Sequence, residues 1–182
     1  VRARLEASAD VSVDGLARAR ATIERRLRER SFVNEAAAQY RLAIIATEQG
    51  DFDVARTALA AARESLGAPH AMIARLAIDI DIRAGRHDAA LAASTEALAA
   101  FPSARALVQQ HGSLLLRMKR FDDAAAYLET QVRRYRSDSA LWRMLSEARF
   151  ASGQPVAGHR AVAEHYALDG GLLAAIEQLR IA

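Results

Sequence analysis

The stretch RAGRHDAALAASTEALAAFP, residues 83–102, sets Gly85, Arg86, His87 and Asp88 directly ahead of an alanine-rich run. Taken alone, a glycine turn followed by His-Asp could be the corner of an active site or a hinge between helices. Its sister stretches decide between them. GDFDVA begins at Gly50, GRHDAA at Gly85, KRFDDA at Lys119 and GQPVAG at Gly153, so the spacings are 35, 34 and 34 residues. A further GGLLAA begins at Gly170, half a period on. Each block closes one helix-length segment and opens another, which makes the unit a helix, a tight turn and a second helix. The turn residue needs left-handed backbone angles, which glycine adopts without a Cβ penalty. Asp53, Asp88 and Asp122 then fall in the first turn of the next helix, where a negative charge meets exposed N–H groups.

Composition agrees with helices. Alanine and leucine dominate the 182 residues, aromatics make up 5%, and there are three prolines, two of which, Pro69 and Pro102, fall at unit ends. Ala55, Ala90 and Ala124 allow close approach of the paired helix, and Leu59 and Leu128 fill the space one turn later. Ser94 takes the slot of those leucines, predicting a weaker interface there. The segment AIDIDIR alternates like a strand over Ile78 to Ile82, but the period places it inside a first helix. Lys119 in place of the turn glycine, and Gly158 in place of the packing alanine, are expected to loosen their interfaces. Gly112 holds the small-residue slot shared with Ala43 and Ser146.

This pattern resembles the tetratricopeptide repeat from roughly Asn34 to Ala182. The resemblance implies an all-α, right-handed superhelical solenoid of antiparallel helix pairs. In that frame residues 1–33 are a linker and capping helix, residues 34–69, 70–103, 104–138 and 139–168 are four repeats, and 169–182 a C-terminal helix.

The chain has no cysteine and hence no disulfide or thiolate chemistry, which leaves cytoplasm and periplasm equally open. No eighteen-residue apolar run or signal-peptide pattern is present, so no membrane span is expected. The first residue, Val1, reads as the start of a fragment or a processed product. The pI near 9.8 invites a nucleic-acid reading, but the net charge is only +3 and the bases are interleaved with acids. RARATIERRLRER, residues 18–30, holds six arginines and two glutamates. Leu16, Ile23 and Leu27 share one face there, leaving the arginines to solvent. Nucleic acid is therefore not the expected partner.

Within the repeat frame, His87 occupies the slot of Phe52 and Phe121 and packs as a ring beside the turn. His111 takes the slot of Leu42 and Leu145, and His165 that of Ala62 and Ala97. His159 and His165 are six apart and face different ways, so they cannot share a metal. No HExxH, phosphate-cradling glycine loop or GxSxG elbow occurs. No catalytic residue, metal site or cofactor is expected in these residues.

A helical-repeat array offers instead the concave face lined by its first helices, suited to an extended peptide or a partner's helix. The candidates are Tyr40 and Ile44; Met72, Arg75 and Asp79; Gln109, Ser113 and Arg117; and Arg143, Glu147 and Phe150. The bland alternative is that Arg75 with Asp79, and Arg143 with Glu147, pair along their own helices for roughly 0.2–0.5 kcal/mol each. The lysine–asparagine pattern of carboxylate-clamp repeats is absent.

The last forty residues carry a narrower resemblance. Leu141 and Trp142, the pair His159–Arg160, AEHYAL (163–168), Gly170 and AAIEQL (174–179) are similar to the tail of BepA-like periplasmic zinc metallopeptidases. The opening VRARLEA is similar to the segment joining protease to repeats in that family. Val156, Ala157 and Gly158 depart from it. The resemblance implies a C-terminal repeat half whose zinc and HExxH protease domain precede Val1. It also implies a periplasmic location and a role in outer-membrane protein assembly and quality control. Its partners would be the protease domain and the outer-membrane assembly machinery. The alternative is a stand-alone repeat scaffold in secretion or pilus assembly with no enzyme attached.

Overall fold

The computed structural model describes residues 12–182; the opening VRARLEA lies outside the described residues. Among the described residues there are ten α-helices and no strand. They are α1 (Val13–Arg28), α2 (Glu35–Glu48), α3 (Phe52–Leu66), α4 (Ala71–Arg83) and α5 (His87–Ala100). After these come α6 (Arg105–Arg117), α7 (Phe121–Arg134), α8 (Ser139–Ala151), α9 (Pro155–Leu168) and α10 (Leu172–Ile181). AIDIDIR is helical within α4, as the period requires, with Ile78 and Ile80 fully buried. The alternation arises because a first helix packs on more than one side, so that isoleucines two apart both find a core. No described helix is long and apolar enough to cross a membrane.

The turns repeat one backbone solution. Gly50, Gly85, Gly153 and Gly170 take φ of 77°, 74°, 72° and 83°. The next N–H then reaches back five residues: Asp51 to Ala46 O (2.9 Å), Arg86 to Asp81 O (2.9 Å), Gln154 to Arg149 O (2.8 Å) and Gly171 to Tyr166 O (2.7 Å). This closes the helix end and satisfies carbonyls that otherwise lack a partner. Lys119 enters the same left-handed region at φ 58°, and Arg120 donates to Leu115 O at 3.0 Å. The lysine therefore keeps the turn unchanged and carries backbone strain, where a loosened interface was expected. Arg30 does the same at φ 52°, with Ser31 donating to Arg26 O at 2.9 Å.

Helix starts are capped by residues that the period did not single out. Asn34 Oδ1 accepts from Ala37 N at 2.9 Å, Asp51 Oδ1 from Val54 N at 3.3 Å, and His70 Nδ1 from Met72 N at 3.2 Å. Asp53, Asp88 and Asp122 lie in the first turns, as charge complements to the helix dipole. Phe52, His87 and Phe121 each open a second helix and are half-buried.

The chain forms two compact units, one ending at Ala93 and the other beginning at Ser94, so the division falls within α5. In the first unit α2 packs on α1, α3 and α4. Its core joins Ile23, Leu42, Ile45, Leu59, Ile73, Leu76 and Ile80 through the small residues Ala43, Ala46, Ala55, Ala58 and Ala62. In the second unit α6 packs on α7 and α8, α8 on α7 and α9, and α9 on α10. Leu107, Leu114, Leu128 and Leu141 are its largest fully buried side chains, beside Val108.

Ala55, Ala90 and Ala124 are each 0% exposed, so the alanine slot is a contact slot. The space at Gly112, in the small-residue slot, and at Gly158, where loosening was expected, is filled by side chains. A Cβ on Gly112 would sit 2.7 Å from Leu128 Cδ2, so the missing methyl is the space that seats the leucine. On Gly158 a Cβ would lie 2.9 Å from the Phe150 ring, which has moved into the place of the alanine methyl.

Candidate functional site

The first helices, α2, α4, α6 and α8, carry the candidate residues at intervals of three or four, which keeps each set on one helical stripe. In the first unit Tyr40 and Ile44 pack against the core as part-buried residues, so their role is largely structural. Met72 is exposed and Arg75 half-buried. Asp79 pairs with Arg83 (Nε–Oδ2 3.3 Å), one turn further along the helix than Arg75. Arg83 also grips Glu48 of α2 with both terminal nitrogens, at 3.1 Å and 2.9 Å. Glu48 and Arg83 are one period apart, so this bidentate pair clamps successive first helices. Neither residue was a candidate, because a per-helix reading looks for partners four residues away.

In the second unit Ser113 and Arg117 on α6, and Arg143 and Glu147 on α8, are exposed. Among the described residues none of these three charged side chains enters an ion pair, so the alternative of an Arg143–Glu147 pair along α8 does not form. Phe150 is 41% exposed, but its ring sits on Gly158 and meets the His159 ring edge-on at 4.9 Å. It therefore belongs to the α8–α9 contact.

Gln109 is committed to the interior. Its Nε2 donates to Asp138 Oδ1 at 3.2 Å and Oδ2 at 2.9 Å. Arg105 donates to Asp138 Oδ2 through Nε at 3.2 Å and Nη2 at 2.6 Å. Asp138 is only 5% exposed and is the N-cap of α8, accepting from Leu141 N at 3.4 Å. Burial pushes its carboxyl up, but the hydrogen bonds from Arg105 and Gln109 outweigh this and hold it below the ordinary carboxylate range. The Arg105 guanidinium also lies 5.7 Å over the Tyr135 ring. One carboxylate thus ties α6 to the start of α8.

The histidines follow the same logic. His111 Nδ1 lies 2.7 Å from the hydroxyl of Ser94, which is 1% exposed. The two departures from leucine, one on α5 and one on α6, are therefore partners, and the interface expected to be weak is hydrogen-bonded. The His111 ring packs at 4.6 Å on Tyr127, whose hydroxyl donates to Val108 O at 3.3 Å. Burial, with the nearby Arg120 charge, lowers the His111 pKa, and burial raises that of Tyr127. His165 lies 2.7 Å from Ser139 Oγ, and His159 Nδ1 donates to Gln178 Oε1 at 2.8 Å. Each ring thus has a structural partner. Among the described residues no three His, Asp or Glu side chains gather as a metal site.

Residues 81–155 match the family model of the tetratricopeptide repeat. No curated protein matches the chain in sequence. Among solved structures, MamA (41-end) from Desulfovibrio magneticus RS-1 is similar at a TM-score of 0.63 and 16% identity, over 80% of this chain and 92% of that one. YrrB, described as a TPR protein with an unusual peptide-binding site, is similar at a TM-score of 0.64 and 14% identity. That match covers 98% of this chain and 88% of that one. At such identities the likeness is one of fold, and the fold is that of tetratricopeptide repeats.

Proposed function

We propose that this tetratricopeptide-repeat chain is a non-catalytic protein-interaction scaffold, and that the first-helix face of α6 and α8 holds a peptide or a partner's helix. The observation that carries this reading is the state of Ser113, Arg117, Arg143 and Glu147. They are exposed on adjacent helices, and their charged members enter no ion pair among the described residues. Polar side chains with no internal task are free to meet a ligand, whereas Gln109 and Asp79 are already engaged. The peptide-binding description of YrrB supports the same use of the fold. Reversing Arg117 and Arg143 to glutamate should weaken peptide capture while helicity stays unchanged. Undiminished capture would move the functional surface elsewhere.

The narrower proposal is that the chain is the C-terminal repeat half of a periplasmic zinc metallopeptidase acting in outer-membrane protein assembly and quality control. The residues from Leu141 to Leu179 quoted above support it. Zinc would belong to a preceding protease domain, and no catalytic step falls to the residues of this chain. Its partners would be that domain and the assembly machinery. The reading frame upstream of Val1 tests this: an HExxH motif and a signal peptide are expected. A start codon directly before Val1 would leave the stand-alone scaffold in secretion or pilus assembly.

A further inference from the structure

The end of α1 gathers positive charge to which the chain gives no internal task. Leu16, Ile23 and Leu27 hold the helix to the core, while Arg25, Arg26 and Arg28 of its last turn are exposed. Arg30 follows in a left-handed turn and is exposed as well. Among the described residues none of these four side chains enters an ion pair. Glu29 is the one acid among them, which leaves a net charge of +3 over residues 25–30. The helix dipole favours a cation in a last turn, but α3, α4 and α6 meet it with one arginine each. At other helix ends Arg83, Arg133, Arg134, Arg149 and Arg180 are each bonded to a residue of the chain. An apolar residue stands beside the unused charges. Ser31 N donates to Arg26 O at 2.9 Å, which holds the loop against the helix end, and Val33 follows two residues later. Val33 is 107% exposed, the most open of the large apolar residues described.

We infer that this end of α1 docks on an anionic membrane surface, its arginines meeting lipid phosphates and Val33 entering the headgroup layer. Guanidinium groups bond phosphate oxygens in pairs, and they give up water more readily than an ammonium does. The three last-turn arginines spread over nearly half the helix circumference. Charge of that breadth on the outer side of a helix suits a laterally extended anionic surface better than the single carboxylate of a peptide. Nucleic acid offers phosphates too, but single strands are held by bases stacked on open rings. Residues 25–30 contain no aromatic, and Phe32 beside them is half-buried. An open aliphatic side chain next to a basic cluster fits instead the boundary between headgroups and acyl chains. The contact is peripheral, since no described helix is long and apolar enough to cross a membrane.

Co-sedimentation of the whole chain with vesicles tests the inference. Each arginine close to an anionic surface strengthens binding roughly fivefold. Vesicles with about 30% phosphatidylglycerol should therefore be bound roughly a hundredfold more tightly than pure phosphatidylcholine, and less so as salt rises. Arg25→Gln with Arg28→Gln should weaken capture by roughly tenfold or more, with the circular dichroism unchanged. Arg136→Gln with Arg160→Gln removes the same charge from exposed sites elsewhere. That control pair should leave capture within about twofold, because distant charges are screened. Val33→Asp should weaken capture about fivefold or more, through a charge at the point of entry. Equal capture by both kinds of vesicle, or a loss no greater for the α1 pair than for the control pair, overturns the inference. So does a Val33→Asp chain that binds like the parent, or a single-stranded oligonucleotide of about 20 residues bound more tightly than the anionic vesicles at the same salt.

Discussion

Replacing Ser94 with alanine removes the hydroxyl 2.7 Å from His111 Nδ1 and leaves that nitrogen without its partner in a half-buried site. A neutral hydrogen bond contributes about 1 kcal/mol net, and leaving one partner unsatisfied raises the cost, so Ser94→Ala should destabilise by about 1–2 kcal/mol. His111→Leu should cost a similar amount. The double substitution Ser94→Leu with His111→Leu recreates the leucine pairing of the sister slots held by Leu128 and Leu145, both buried. It should return to within about 1 kcal/mol of the parent, because replacing both partners by apolar groups is nearly neutral. Urea unfolding of the four chains, with hydrogen exchange of α6 amides as a local readout, measures these costs. His111 also titrates. The folded pKa of His111 lies below the ordinary histidine value of about 6.5, because burial disfavours its charged form. The unfolded chain therefore takes up the proton first, and stability is lost as pH falls from about 6.5 toward the folded pKa. His111→Leu should remove that part of the acid sensitivity. A Ser94→Ala chain as stable as the parent, with a pH profile that His111→Leu leaves untouched, would refute the reasoning.

Three further outcomes follow from the same geometry. Lys119→Gly should stabilise the chain by roughly 0.5–1 kcal/mol in thermal unfolding, since glycine removes the Cβ penalty of a left-handed residue. Gly112→Ala should destabilise by about 1–3 kcal/mol through overpacking, because its methyl would lie 2.7 Å from Leu128 Cδ2. Shortening Leu128 to alanine should then cost less in that background than in the parent, which a double-mutant cycle measures. Asp138→Ala should cost at least the ~1 kcal/mol of a lost N-cap. Because the Asp138 pKa is held low, its contribution is present above the ordinary carboxylate range and lost as pH falls through the lowered value. The alanine chain should show a flatter acid limb in a pH series of urea midpoints.

The candidate face was legible in part. Helical spacing picked one stripe per first helix, and Ser113, Arg117, Arg143 and Glu147 are exposed on it. It could not tell that Gln109 turns to Asp138 or that Phe150 settles on Gly158, because both depend on residues of another helix. Asp79 pairs with Arg83 four residues after it, a partner that the helix alone leaves open beside Arg75, four residues before it.

What the sequence determined by itself is what the backbone decides locally. The 34-residue spacing, the left-handed turn and the acid in the first turn of the following helix each need only a few consecutive residues, and each recurs in the fold. The alanine slots also carried their meaning, since Ala55, Ala90 and Ala124 are all fully buried. What only the tertiary structure decided is how departures are compensated. Ser94 with His111, Glu48 with Arg83 and Asp138 with Arg105 are separated by 17, 35 and 33 residues, and each joins two helices. Slot by slot, Ser94 looked like a flaw, and nothing local to the charged residues pointed to their partners. A buried polar group is costly alone and stable when paired, and packing brings the partner to it.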